Sequence, residues 1–140
     1  MRFVAAVVVA AVVAGCGGQH STAPEQVVRA WSSALNRGDD ASAAALFAPG
    51  AEIVQGDAAT RLETQAQARA WNAGLPCAGK IVGLSTTGDV VTATFLLGHR
   101  RGHTCDGPGA RAVAAFRVHA GKILLWHELG AEPAPDQPVV

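Results

Sequence analysis

Apolar residues recur at helical spacing in the first half of the chain and at alternate positions in the second. Val27, Val28, Trp31, Ala34 and Leu35 share one face of a predicted helix, while Arg29, Ser32, Ser33 and Asn36 lie largely outside it. Pro24 suits the first turn, with Thr22 or Ser21 as cap, Glu25 at the positive end and Gly38 as the stop. Asp39 or Asp40 caps a second, short helix, Ala41–Phe47, which Pro49 closes. Ala51–Gln55 predicts a short strand. A third helix is expected from about Glu63 to Ala73, ending at Gly74 and Pro76, with Trp71 near its end.

From Cys77 onward the period is that of strands. Cys77–Thr86 and Asp89–Arg100 predict one hairpin, turning at Thr87-Gly88, and Arg111–His119 and Lys122–Leu129 a second, turning at Ala120-Gly121. A regular second hairpin pairs Val118 with Ile123, Phe116 with Leu125, Ala114 with His127 and Ala112 with Leu129. That face is apolar except for His127. The opposite face, which carries Trp126 and Glu128, is mixed. In the first hairpin, Leu84, Val91, Val82, Ala93, Ala78, Leu97 and Phe95 share a face, with His99 in phase at its end. A bulge in either hairpin would move every later side chain to the other face.

The 140 residues carry 11 Lys+Arg and 11 Asp+Glu, so the net charge is zero. This length allows one domain, and the charge balance excludes a nucleic-acid binder held by phosphate contacts. With 49% hydrophobic and 16% charged residues, the chain can bury a core. Residues 1–15 stand apart: Arg2, an apolar run from Phe3 to Val13, then Ala14-Gly15 and Cys16. The run is too short to span a bilayer, which needs about 20 residues, and fits a secretory signal. Val13-Ala14-Gly15-Cys16 resembles the bacterial lipobox, which implies that Cys16 is lipidated and becomes the first mature residue. Residues 16–23 are then a tether, 24–130 the folded domain, and 131–140, with Pro133, Pro135 and Pro138, a disordered or extended tail. The expected location is outside the cytoplasm, anchored to the cell membrane through acylated Cys16.

Cys77 and Cys105 remain in the exported part, an even pair that predicts a disulfide. The predicted register agrees, since only a few residues separate the end of the hairpin, opposite Cys77, from Cys105. Closing a loop of this length stabilises by roughly 3.6 kcal/mol in the chain-entropy picture. His99, His103 and Cys105 are metal-ligand types, but an oxidised Cys105 has no thiolate to offer, and neither a metal nor a cofactor is expected.

The segment ALNRGDDASAAALFAPGAEI (Ala34–Ile53) resembles the opening of nuclear transport factor 2-like domains, the group that includes the SnoaL-like polyketide cyclases. AGKILLWHELG (Ala120–Gly130) resembles their closing hairpin, nearest in wording to limonene-epoxide-hydrolase-like members. The resemblance implies an α+β cone: three helices of the N-terminal half packed on a curved antiparallel sheet around an apolar pocket. It hosts isomerases, hydrolases, cyclases and pure binders, so the fold does not choose a function. The ketosteroid isomerase type relies on a Tyr, and this chain has none. The epoxide hydrolase type uses an Asp-Arg-Asp set. Glu128 stands for its last Asp and His127 for the Arg of that ending, while Val90–Gly98 lacks the other two parts.

Acid–base candidates are His127, Glu128, His99 and Glu52, weighed against solvated or merely structural positions. Trp31, Phe95, Phe116, Leu125 and His127 are the expected pocket residues. The functional expectation is a lipoprotein whose domain binds a small apolar ligand or an envelope protein, without catalysis. The alternatives are a SnoaL-like isomerase, cyclase or hydrolase using His127 or Glu128, and an associative domain that forms a homodimer.

Overall fold

The computed structural model describes residues 22–132 and 134. The lipobox Cys16, the signal segment and most of the Pro-rich tail lie outside the described residues. Three helices, α1 (Pro24–Asn36), α2 (Asp40–Ala45) and α3 (Gln65–Gly74), pack on a sheet of six strands. The strands are β1 (Phe47–Gln55), β2 (Ala58–Leu62), β3 (Cys77–Thr87), β4 (Val90–His99), β5 (Arg111–His119) and β6 (Lys122–Glu132). Their order across the sheet is β2-β1-β6-β5-β4-β3. Strands β3 to β6 form an antiparallel meander, but β1 runs parallel to β6. The sheet is therefore mixed, not wholly antiparallel as expected. The parallel pair arises because the β1–β2 hairpin joins the meander at its last strand, while α3 carries the chain across to the far edge.

Helix α1 buries Val27, Val28, Trp31, Ala34 and Leu35, the face its periodicity predicts. Thr22 does not cap it, and Ser21 lies outside the described residues: Ala23 is the cap residue and makes no side-chain bond, while Pro24 occupies the first turn. Gly38 ends the segment at φ +73°, a conformation that favours glycine. It turns the chain so that the Asp39 amide donates to Ala34 O at 2.9 Å. The Asp39 carboxylate then accepts from the Ser42 amide at 3.0 Å and its hydroxyl at 2.6 Å, starting α2.

Helix α2 stops at Ala45, before the expected Phe47, and β1 begins there. Pro49 sits inside β1, in the stretch between Phe47 and Glu52 where the register with β6 shifts and no ladder amide is required of it. Strand β2, absent from the sequence reading, pairs with β1 across a two-residue loop, Gly56-Asp57. At the other end of the chain, β6 runs on to Glu132, two residues into the expected tail.

Bulges set the faces. His119 pairs with Lys122 and Val118 with Ile123, as expected, but the register then shifts at Leu124, so that Arg117 meets Leu125 and Phe116 meets Trp126. It shifts again at Leu129. Trp126 and Glu128 consequently share the inner face with Phe116 and Ala114, and His127 turns to the outer face beside Ala115 and Val54. The first hairpin turns at Gly88-Asp89, one residue later than expected, with a bulge at Val82 that leaves this side chain exposed. Ile81 then pairs with Phe95, and Leu84, not Val82, with Ala93.

The core lies between α1 and the inner face of the sheet. The Trp31 ring meets Phe95 and Phe116 edge-on, at centroid distances of 6.0 and 5.2 Å. Its indole N–H donates to Asn72 Oδ1 at 2.8 Å, and Asn72 in turn donates to Ala68 O, so this wholly buried amide is satisfied within α1 and α3.

Candidate functional site

A cavity of about 270 Å³ remains between α1, the α3–β3 connection and the inner face of the sheet. Trp31, Phe95 and Trp126 supply its aromatic wall, and Leu35, Leu75 and Leu97 much of the rest. Four polar side chains reach it: Ser32, Gln55, Asp106 and Glu128. Ser32 donates to Gly79 O at 3.0 Å, and Gln55 Oε1 accepts from Trp71 Nε1 at 3.4 Å. Among the described residues, half-buried Glu128 makes neither an ion pair nor a hydrogen bond. Gly79 allows a close approach of β3 to β4, since a Cβ there would stand 2.8 Å from Phe95 Cβ.

The mouth is framed by a disulfide. Cys77 and Cys105 are bonded, with Cα atoms 4.6 Å apart. Cys77 lines the cavity, and Asp106 Oδ1 lies 3.6 Å from its sulfur. Behind the loop, Arg100 is almost fully buried and donates to Asn72 O at 2.7 Å and Leu75 O at 2.9 Å, while also pairing with Asp40. These bonds fix the end of α3 against β4 and thus set the cavity's rim. Among the described residues the buried Trp126 indole N–H has no acceptor, against the rule that buried donors find one.

The predicted residues divide. Trp31 and Phe95 line the cavity, whereas Phe116 is fully buried beneath Trp31. Leu125 and His127 are displaced to the outer face by the bulge at Leu124, so the expectation that they line the pocket is corrected. Glu128 takes the inward place expected of His127. Glu52 lies on the outer face opposite Leu125, with its carboxylate 3.6 Å from Arg61. The Nδ1 atom of His99 accepts from the Cys105 amide at 3.2 Å, a role in the loop and not in the cavity. His103 contacts Ala73 O at 2.7 Å. Among the described residues, the one grouping of metal-ligand types is Cys77, Cys105 and Asp106, and the disulfide occupies both sulfurs. Sequence reasoning missed Asp106 and Arg100, and it placed Trp126, a possible ligand-site residue, on the mixed face. Only the bulge decides Trp126, and it has no sequence signal.

A family model of the SnoaL-like domain matches residues 28–126, which is most of the chain. The protein belongs to the SnoaL-like family. Solved structures agree with the fold of this SnoaL-like protein. A nuclear transport factor 2-like protein of unknown function from Cytophaga hutchinsonii superposes with a TM-score of 0.63 at 12% identity, over 79% of this chain and 91% of that one. A candidate polyketide cyclase from Sinorhizobium meliloti gives 0.61 at 16% identity, over 74% and 93%. A candidate ketosteroid isomerase from Kribbella flavida gives 0.61 at 16%, over 84% and 83%. No curated protein sequence is similar enough to match. At these identities the likeness concerns the fold, and no helix among the described residues is long and apolar enough to cross a membrane.

Proposed function

We propose that this SnoaL-like protein is an exported lipoprotein, anchored through acylated Cys16, whose domain holds a small, largely apolar molecule without transforming it. The observation that carries the binding part is the cavity of about 270 Å³, walled by aromatic and aliphatic side chains with a few polar groups. The disulfide supports an oxidising compartment, and the lipobox-like Val13–Cys16 supports the anchor. Dual or triple acylation at one residue gives stable attachment where a single chain binds only marginally.

A second reading is favoured by Glu128 alone. A carboxylate without a partner in an apolar wall is the kind of group that serves as a general base toward a carbonyl compound. In that reading the protein is an isomerase or cyclase, the activities named for two of its structural neighbours, or a hydrolase.

Native mass spectrometry of the full chain extracted from its own envelope tests the first reading. A co-purifying small molecule that Ala112→Phe displaces from the cavity is the expected result. Turnover of that molecule by the wild type, lost in Glu128→Gln, would replace binding by catalysis. Failure of Cys16→Ser to release the protein from the membrane would remove the anchor.

A further inference from the structure

We infer that the cavity is selective for a hydrophobic amine carried as its cation. The inference rests on the binding reading above and names the class of ligand. Its basis is the sign of the charges that face the cavity. Asp106 and Glu128 line it, and among the described residues no Lys, Arg or His does. The two acidic groups come from separate elements, the loop after β4 and strand β6, and they stand among mostly apolar lining residues.

Neither carboxylate is neutralised by the protein. Among the described residues the ion pairs are Arg37–Asp39, Arg61–Glu52 and Arg100–Asp40, and none includes Asp106 or Glu128. Arg100, buried behind the loop, is committed to Asp40 and to the carbonyls of Asn72 and Leu75. An unpaired carboxylate beside a mostly apolar cavity attracts a positive group and repels an anion.

The rest of the wall suits the same ligand. Trp31, Phe95 and Trp126 present aromatic rings, whose faces attract an ammonium group, and tryptophan does so best. Leu35, Leu75 and Leu97 cover the hydrocarbon part. A neutral lipid would use these apolar walls but not the carboxylates. A fatty acid or other anion would be repelled by them.

Three probes of one shape and different charge test this: benzyltrimethylammonium, its neutral isostere neopentylbenzene, and phenylmethanesulfonate. Affinities are read by calorimetry on the full chain, and the site by loss of binding in Ala112→Phe. The cation is expected to bind about tenfold tighter than the isostere, with the sulfonate weakest. Glu128→Gln is expected to remove most of that preference and leave the neutral probe unchanged. Asp106→Asn, at an exposed position that the fold tolerates, should remove a smaller part. Equal affinity for cation and isostere, both blocked by Ala112→Phe, would overturn the amine selectivity while the apolar cavity reading stands. A preference that survives the double variant would also overturn it, since the carboxylates would not be its source. If no probe binds, the amine selectivity falls, and native mass spectrometry still decides the broader reading.

Discussion

Asp39 shows how one side chain sets a local boundary. Its carboxylate caps α2, and the Ser42 hydroxyl, then the Ser42 amide, hold its pKa below the usual 3.8, with Arg37 adding a smaller pull. A lowered carboxylate pKa contributes stability that is complete above 3.8 and is lost as pH falls through the folded-state value. Asp39→Ala should therefore lower the urea midpoint modestly at neutral pH, and the gap from wild type should narrow as the pH falls below 3.8. Equal gaps at both pH values would show that the charge has no part in the cap. This role was readable from Gly38-Asp39 ahead of an alanine-rich run. Arg100 was not. It reads as half of a basic doublet at the end of a strand, and only the packing of α2 and α3 around it makes it a buried clamp.

At the scale of elements, the Arg100 clamp ties α2, the end of α3 and the end of β4 into one unit. Arg100→Ala leaves two carbonyls and Asp40 without their donor. It should cost about 3–5 kcal/mol of unfolding free energy, read from urea denaturation. A loss below about 1 kcal/mol would mean that solvent replaces the guanidinium freely. The helices were legible because their buried faces follow local periodicity, from Val27 to Leu35 most clearly. Strand β2 carries a signal that was overlooked, Gly56-Asp57 between Gln55 and Ala58, a pair suited to a two-residue hairpin. The inner face of β6 was illegible for a different reason. An extra residue at Leu124 costs nothing in pattern but exchanges His127 for Trp126 and Glu128, so the chemistry of the wall depends on a bulge. The parallel β1–β6 pair was hidden likewise, because it joins segments far apart in sequence.

For the molecule as a whole, the disulfide is the covalent tie between the start of β3 and the loop that frames the cavity. A double Cys77→Ser, Cys105→Ser variant should lose roughly 3–4 kcal/mol in the chain-entropy picture, measured by equilibrium unfolding, with the fold retained by circular dichroism. An unchanged midpoint would place the loop's order in Arg100 and the His99 contact instead. The cone and its cavity were foreseeable from the family resemblance carried by Ala34–Ile53 and Ala120–Gly130. What the cavity prefers was not, since that depends on which of two adjacent side chains, His127 or Glu128, looks inward.

The parallel pairing of β1 with β6 also bears on how the chain is made. Phe47 finds its sheet neighbour, Ile123, 76 positions later. Until synthesis has nearly finished, the early hairpin therefore presents a naked edge, able to dock on any extended polypeptide within reach. Pairing so distant slows folding relative to local contacts.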